Sequence, residues 1–181
     1  KTFGEEKFSK QIVKKIIQLR KTKRIRTEDL KNIIDNVKKY KKSKINNSTK
    51  IFQALRIFVN EEISELINGL INAFNLIPVG GLIAVVTFHS LEDKIVKFFF
   101  KNYSEIKSSS RYMPENKKNN LYFDIKKKKP TTPSLQEIKK NPSSRSAKLR
   151  YGIKIKNNCE FVELKKKFKY LLDLEQLGSN L

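Results

Sequence analysis

One histidine, His89, closes the apolar run Leu82-Ile83-Ala84-Val85-Val86-Thr87-Phe88 and is followed at once by Ser90-Leu91-Glu92-Asp93. A strand end that turns into a helix N-terminus is where open α/β sheets usually hold ligands. An imidazole there can hydrogen-bond a nucleoside base or a phosphate, and it can equally be a structural histidine that shapes the turn. Glu92 and Asp93 read first as residues that complement a helix dipole, ahead of general-base work. Gln53 and Arg56 lie one helical turn apart and can share a face beside such a cleft. Arg145, Lys148 and Arg150 cluster near a late strand, where they either contact a nucleic-acid backbone or sit on a solvated face. Lys14, Lys15, Arg24 and Arg26 lie on and between two basic helices, a pattern suited to salt-sensitive, sequence-independent phosphate contacts. The run Lys126 to Lys129 reads as a solvated loop ahead of a specific site. Tyr103, Tyr112, Tyr122 and Phe123 interleave with basic residues and can stack on bases, although core packing is the stronger reading for Phe123.

The elements that position these groups follow from periodicity. Residues 5–20 predict an amphipathic helix, with Phe8, Ile12, Ile16 and Leu19 on one side. Lys21 to Arg26 form a basic connection. Thr27 is placed to cap a second helix, with Glu28 and Asp29 against its dipole and Leu30, Ile33, Ile34 and Val37 as its stripe. With a further basic loop at Tyr40 to Lys44, the first 46 residues predict a small lysine-rich helical hairpin. From Asn47–Thr49 one long helix is expected, its apolar side running Phe52, Leu55, Val59, Ile63, Leu66, Leu70 and Phe74, with Glu61, Glu62 and Glu65 in solvent. It ends before Pro78, and Gly80-Gly81 makes a turn.

The continuously apolar run at 82–88 predicts a strand buried on both faces, as in a parallel sheet covered by helices. Ser90 is expected to cap the next helix with Asp93 completing a capping box, and Ile95, Val96, Phe99 and Phe100 line it. Residues 104–120 read as a polar loop, 121–125 as a short strand, and 135–139 as a short helical stretch among Pro130, Pro133 and Pro142. Residues 147–155 alternate as a strand, and the tail from Asn157 reads as a weakly helical, lysine-rich extension. The order of helix, turn, strand and helix argues for an α/β architecture. No internal repeat is present.

The 181 residues carry a net charge of +22. Residues 1–50 hold 17 basic and 5 acidic groups, 51–100 hold 3 and 5, and 101–181 hold 20 and 8. A near-neutral middle between two basic blocks suggests a packed core with polyanion-facing wings. The 33 lysines against 7 arginines also fit an AT-rich genome with no selection for nucleic acid. No run approaches the roughly 20 apolar residues of a membrane span, and residues 1–20 lack a secretory h-region. A lone cysteine, Cys159, excludes an internal disulfide, fits a reducing cytoplasm and reads as an unreactive thiol.

Five segments carry a resemblance. They are Gly4-Glu5-Glu6-Lys7-Phe8, Ile51-Phe52-Gln53-Ala54-Leu55-Arg56-Ile57 with Val59-Asn60-Glu61-Glu62, the turn Leu76-Ile77-Pro78-Val79-Gly80-Gly81-Leu82, Phe88-His89-Ser90-Leu91-Glu92-Asp93-Lys94-Ile95-Val96-Lys97, and Asn141-Pro142-Ser143-Ser144-Arg145-Ser146-Ala147-Lys148-Leu149-Arg150. In this order and spacing the chain resembles the ribosomal RNA small subunit methyltransferase H family, the MraW type, over residues 1 to about 155. The resemblance implies a bacterial cytoplasmic enzyme that moves a methyl group from S-adenosylmethionine to the exocyclic N4 of a cytidine in the decoding region of 16S rRNA. It implies an α/β fold, the distal part of a class I, Rossmann-like methyltransferase domain plus a helical, RNA-contacting insertion. Residues 1–50 would be most of that insertion, 51–156 the C-terminal portion of the catalytic domain with strands near 82–88, 121–126 and 147–155, and 157–181 a basic tail that matches nothing in the family. The small ribosomal subunit is the implied partner, with no metal expected.

The departures carry as much information. In the family the donor-binding glycine loop, the acidic residue for the donor ribose and the motif beside the target amine lie upstream of the matched part, and nothing here replaces them. The six glycines, Gly4, Gly69, Gly80, Gly81, Gly152 and Gly178, form no G-x-G loop. Lys50 stands where the family usually has arginine, and Ser143-Ser144 where a Pro-Arg-Ala-Arg run would bring one more arginine, which trades forked contacts for a point charge or none. The first residue is Lys1 and the sole methionine is Met113, so the sequence is expected to be a distal fragment that lacks the donor site and is inactive alone. The alternatives are a non-catalytic basic RNA-binding module and a decayed remnant.

Overall fold

The computed structural model describes residues 1–39, 46–104 and 121–179. The basic loop expected at Tyr40 to Lys44, nearly all of the polar loop expected at 104–120, and Tyr112 lie outside the described residues. The elements run α1 (Ser9–Arg20), α2 (Thr27–Val37), α3 (Thr49–Val59), α4 (Glu62–Leu76), β1 (Leu82–Thr87), α5 (Ser90–Asn102), β2 (Phe123–Asp124), α6 (Leu135–Lys140), a 3₁₀ turn (Pro142–Ser146), β3 (Lys148–Lys154) and α7 (Val162–Ser179). Packing divides the chain into two units. Unit 1 holds Lys1–Glu62 and Asp173–Leu181, and unit 2 holds Ile63–Leu172.

In unit 1 the α1–α2 hairpin closes on an aliphatic cluster of Ile12, Leu30, Ile33 and Ile34, with Phe8, Ile16, Leu19, Val37 and Phe52 against it. The first helix begins at Ser9 and not at residue 5. Glu5 has φ 47°, which breaks helical geometry, and Glu6 is buried. Glu6 pairs with the buried Lys38 and accepts the Phe8 N–H at 2.9 Å, while Lys38 Nζ also donates to the Asn47 carbonyl at 2.7 Å. A Cβ on Gly4 would stand 2.2 Å from the Lys50 carbonyl oxygen, so the start of the chain lies directly on the first turn of α3. Thr27 is the first helical residue of α2 and not its cap. Arg26 occupies the cap position, and Asp29 accepts its N–H at 2.9 Å.

The long helix expected from residue 47 to Pro78 is two helices. Asn60 caps α3, and Glu61 takes φ 51°, a left-handed conformation that ends the ladder. Arg56 spans the break to Glu62 with contacts of 2.7 and 3.1 Å. The break resets the helical phase. Ile57, Ile63, Ile67, Leu70 and Phe74 are buried, whereas Leu55 and Val59, expected on the apolar side, are exposed.

In unit 2 three strands form one sheet in the order β1-β3-β2, paired antiparallel throughout. The expectation of a strand buried on both faces is corrected. Ile83 and Thr87 are buried, while Leu82 and Val86 stay 57% and 52% exposed. A continuous apolar run records that both faces are apolar, and what covers each face is decided by tertiary packing. β2 is two residues long because it pairs with β3 only at Phe123↔Lys154 and Asp124↔Ile153. Gly152 on β3 packs closely, since a Cβ there would come to 3.0 Å of the Phe100 ring and the ring would have to give way.

The tail is no weak extension. α7 runs 18 residues, and Phe161, Leu164, Phe168 and Leu171 are buried. The Phe161 ring lies 4.9 Å from Phe74, 5.4 Å from Phe99 and 4.9 Å from Tyr103, inside an aromatic cluster completed by Phe100 and Phe123. Such offset and edge contacts add to plain area burial. The Tyr103 hydroxyl accepts the Leu164 N–H at 3.1 Å, and burial pushes its pKa up to about 12. Lys154, fully buried, donates to the carbonyls of Phe74 (2.7 Å) and Ile77 (2.8 Å) and lies over the Phe74 ring. It thereby satisfies orphan acceptors at the α4 C-terminus.

Candidate functional site

The β1–α5 turn is the best-organised polar site of unit 2. His89 is the N-cap of α5, one residue earlier than expected, and it is extended at φ −135°, ψ 164°. Its ring Nδ1 accepts the Glu92 N–H at 3.3 Å. With Nδ1 accepting, the neutral ring carries its proton on Nε2. Glu92 returns the interaction: Oε2 accepts the N–H of Phe88 at 2.8 Å and of His89 at 3.3 Å. The reciprocal cap is therefore His89 with Glu92, in place of Ser90 with Asp93. The ring Nε2 lies 3.2 Å from Glu92 Oε1 without hydrogen-bond alignment, so that contact is proximity only. Burial pushes the Glu92 pKa up, but the adjacent His89 ring and the two N–H groups hold the carboxyl below its ordinary value. Glu92 is thus a fixed anion at a helix N-terminus, poorly suited to accept a proton near neutral pH.

Asp93, freed from capping, crosses to β3. Its carboxylate receives Lys148 Nζ at 3.0 Å and Arg150 Nε at 2.8 Å. Although burial pushes its carboxyl up, Arg150 and Lys148 hold it below the usual range. Arg150 also donates to the Lys128 carbonyl at 3.3 Å. Two of the three basic residues read from the 141–150 motif therefore meet on one internal carboxylate, a pairing that alternation alone does not reveal. Arg145 is exposed on the 3₁₀ turn.

Lys14 and Lys15 are exposed on α1, Arg24 on the α1–α2 loop and Arg26 at the head of α2. Exposed Lys50 reaches the Glu5 carbonyl at 3.4 Å. Gln53 is half-buried and Arg56 exposed one turn on along α3, where Arg56 is engaged by Glu62. Among the proposed stacking residues, Tyr103 and Phe123 are buried in the aromatic cluster, and half-buried Tyr122 packs on Phe74 and Tyr103. Their faces serve the core. At the turn itself the Phe88 ring stands open, 55% exposed at the end of β1 beside His89. Counted as one more apolar residue of the strand, it gave no separate signal in the sequence. Cys159 is half-buried, and burial raises its thiol above the ordinary value, as for an inert thiol.

A sheet flanked by helices, with a capped histidine turn at the end of its first strand, fits an α/β methyltransferase fold. The chain belongs to the MraW methylase family, whose model matches residues 1–155. It is 44% identical over 158 residues to the ribosomal RNA small subunit methyltransferase H of Sulfurihydrogenibium sp. (strain YO3AOP1), covering 86% of this chain and 49% of that protein. The proteins of the same name from Persephonella marina and Rickettsia prowazekii are 41% and 44% identical, covering 86% and 84% of this chain and 49% and 51% of theirs. The chain spans about half the length of the curated relatives it matches. No helix among the described residues is long and apolar enough to cross a membrane.

Proposed function

We propose that this chain is the distal part of a class I S-adenosylmethionine-dependent methyltransferase that methylates the N4 amine of a cytidine in the decoding region of 16S rRNA, within the bacterial cytoplasm. The observation that carries the reading is the family match over residues 1–155. In this proposal residues 1–50 are most of a helical insertion that lies on the small ribosomal subunit. Residues 51–156 complete the catalytic domain, and 157–181 contribute a helix to its packing.

The residues present do not fit the methyl donor. The turn from Thr87 to Ser90 is a strand-to-helix turn without glycine, so backbone cannot approach a donor as a glycine loop does. We therefore place the donor site in the part of the relatives that this chain does not span, and assign no donor contact here. The chain's own contribution is positional. Methylating an exocyclic amine needs alignment with the donor more than a strong base. The His89–Glu92 cap holds the strand end rigid, and the exposed Phe88 ring offers an apolar face for a base.

Transfer of labelled methyl groups to methyl-deficient small subunits tests the proposal. The 181-residue chain alone should be inactive, and mixing it with the N-terminal half of the Sulfurihydrogenibium relative should restore labelling at a cytidine N4. Labelling by the chain alone would overturn the assignment of the donor site. Labelling of another atom by the mixture would overturn the assigned chemistry.

A further inference from the structure

Unit 2 carries a recess of about 670 Å³ that the proposed reaction does not use. One wall is the exposed side of α5, where Lys97 and Lys101 stand one turn apart. The other is the loop after β2, which brings Lys127, Lys128 and Lys129. The floor is apolar, formed by residues such as Phe100 and Phe123.

Among the described residues, charge in the recess is one-sided. The lining carboxylate among them, Asp124, lies 2.7 Å from Lys126 Nζ. Its arginine, Arg150, is held by Asp93 and donates to the Lys128 carbonyl, which ties the loop to β3. Thr131 fixes the loop's far end through two backbone bonds with Leu149, of 2.9 and 2.8 Å, and accepts from Lys127 Nζ at 3.2 Å. Two rows of lysine are therefore held on opposite walls by structure that is not itself offered to a ligand. Like charges across a cleft repel, and the focused positive field attracts anions. Lysines present point charges and not planar forks, so they suit a backbone of phosphates better than one oriented carboxylate or base edge.

We infer that this recess is a second RNA-contact surface, which holds a few nucleotides of a single strand by their phosphates without reading sequence. The inference rests on the proposed RNA substrate and adds a site for it at the Lys126 to Lys129 loop, away from the basic α1–α2 hairpin. The volume lies within the range of small-ligand pockets, roughly 300–1,000 Å³, which accommodates a short strand segment and not a duplex. The recess acts as an anchor and is no part of the reacting site.

The test is the salt dependence of binding of the 181-residue chain to a labelled decoding-region RNA. The triple variant Lys97→Gln/Lys101→Gln/Lys129→Gln alters exposed side chains only, and its thermal unfolding is checked first. Should it fail to fold, the single variant Lys97→Glu replaces it. The triple variant is expected to bind roughly tenfold or more weakly at low salt, with the slope of log K against log salt reduced by about 2, since each phosphate contact on a single strand contributes about 0.7. An unchanged slope and affinity in a folded variant would overturn the inference alone. Failure of the parent chain to bind RNA would instead overturn the functional reading on which it rests. Equal competition by polyglutamate and by RNA of matched charge would show an acidic-protein site and reject the RNA assignment.

Discussion

Unit 1 and unit 2 bury charge in different ways. In unit 1 a lysine and a glutamate, Lys38 and Glu6, enter the interior as a pair beside a small aliphatic cluster. In unit 2 Lys154 is buried with its ammonium held by two helix-terminal carbonyls and an aromatic ring. The first arrangement joins side chains distant in sequence within a hairpin that has little core. The second fastens a strand to a helix end inside an interlocked aromatic core. Cations in this chain therefore divide into structural ones, whose partners are internal, and exposed ones, whose field faces outward. A net charge of +22 by itself conceals that division.

The largest break in the comparison should come from Phe161→Ala, which empties a ring site shared by Phe74, Phe99 and Tyr103. A loss of about 3–5 kcal/mol is expected, read from chemical denaturation with hydrogen exchange. Exchange should accelerate in residues 63–172 well before α1 and α2. Lys154→Met keeps the stem but strands the Phe74 and Ile77 carbonyls, with an expected cost of about 3 kcal/mol. Its signature is lost protection at the end of α4. Gly4→Ala forces a Cβ onto the Lys50 backbone and should cost about 1–3 kcal/mol, confined to unit 1. If it weakens both units equally, the assignment of its effect to unit 1 fails.

Acid sharpens the contrast more gently. Glu6, Glu92 and Asp93 all have their folded values below the ordinary 4.5, 4.5 and 3.8. For Glu6, burial pushes upward and is outweighed by Lys38 and the Phe8 N–H. A depressed carboxyl contributes stability that is complete above its unfolded value and is lost as pH falls through the folded one. Stability should therefore be flat down to about pH 5 and decline below it. Asp93→Asn should remove part of that decline while lowering stability at pH 7, with urea midpoints across pH as the measurement. The smallest structural effect belongs to Lys14→Gln/Lys15→Gln. These exposed groups should change stability by less than about 0.5 kcal/mol yet lower the salt dependence of RNA binding.

Local pattern determined a good deal. The apolar spacing of residues 8–37 was enough for the two helices of the hairpin, because a 3.6-residue period needs no distant partner to be seen. The apolar run at 82–88 and the alternation at 147–155 located β1 and β3 to within a residue or two. The helix-dipole reading of Glu92 also holds, since it depends on neighbours four residues away or fewer. Tertiary structure decided the rest. The break at Asn60-Glu61 is invisible to periodicity because both helices are amphipathic and only the left-handed Glu61 separates them. The reciprocal cap joins His89 to Glu92, while Asp93, expected in the cap, is drawn across to Lys148 and Arg150, residues 55 and 57 positions later. Phe161 belongs to a tail that reads as a weakly helical, lysine-rich extension until Phe74 and Tyr103 are brought around it. Which lysines face inward, and which stand in opposed rows across the α5 recess, is likewise a property of contacts distant in sequence, to which residue type and spacing are blind.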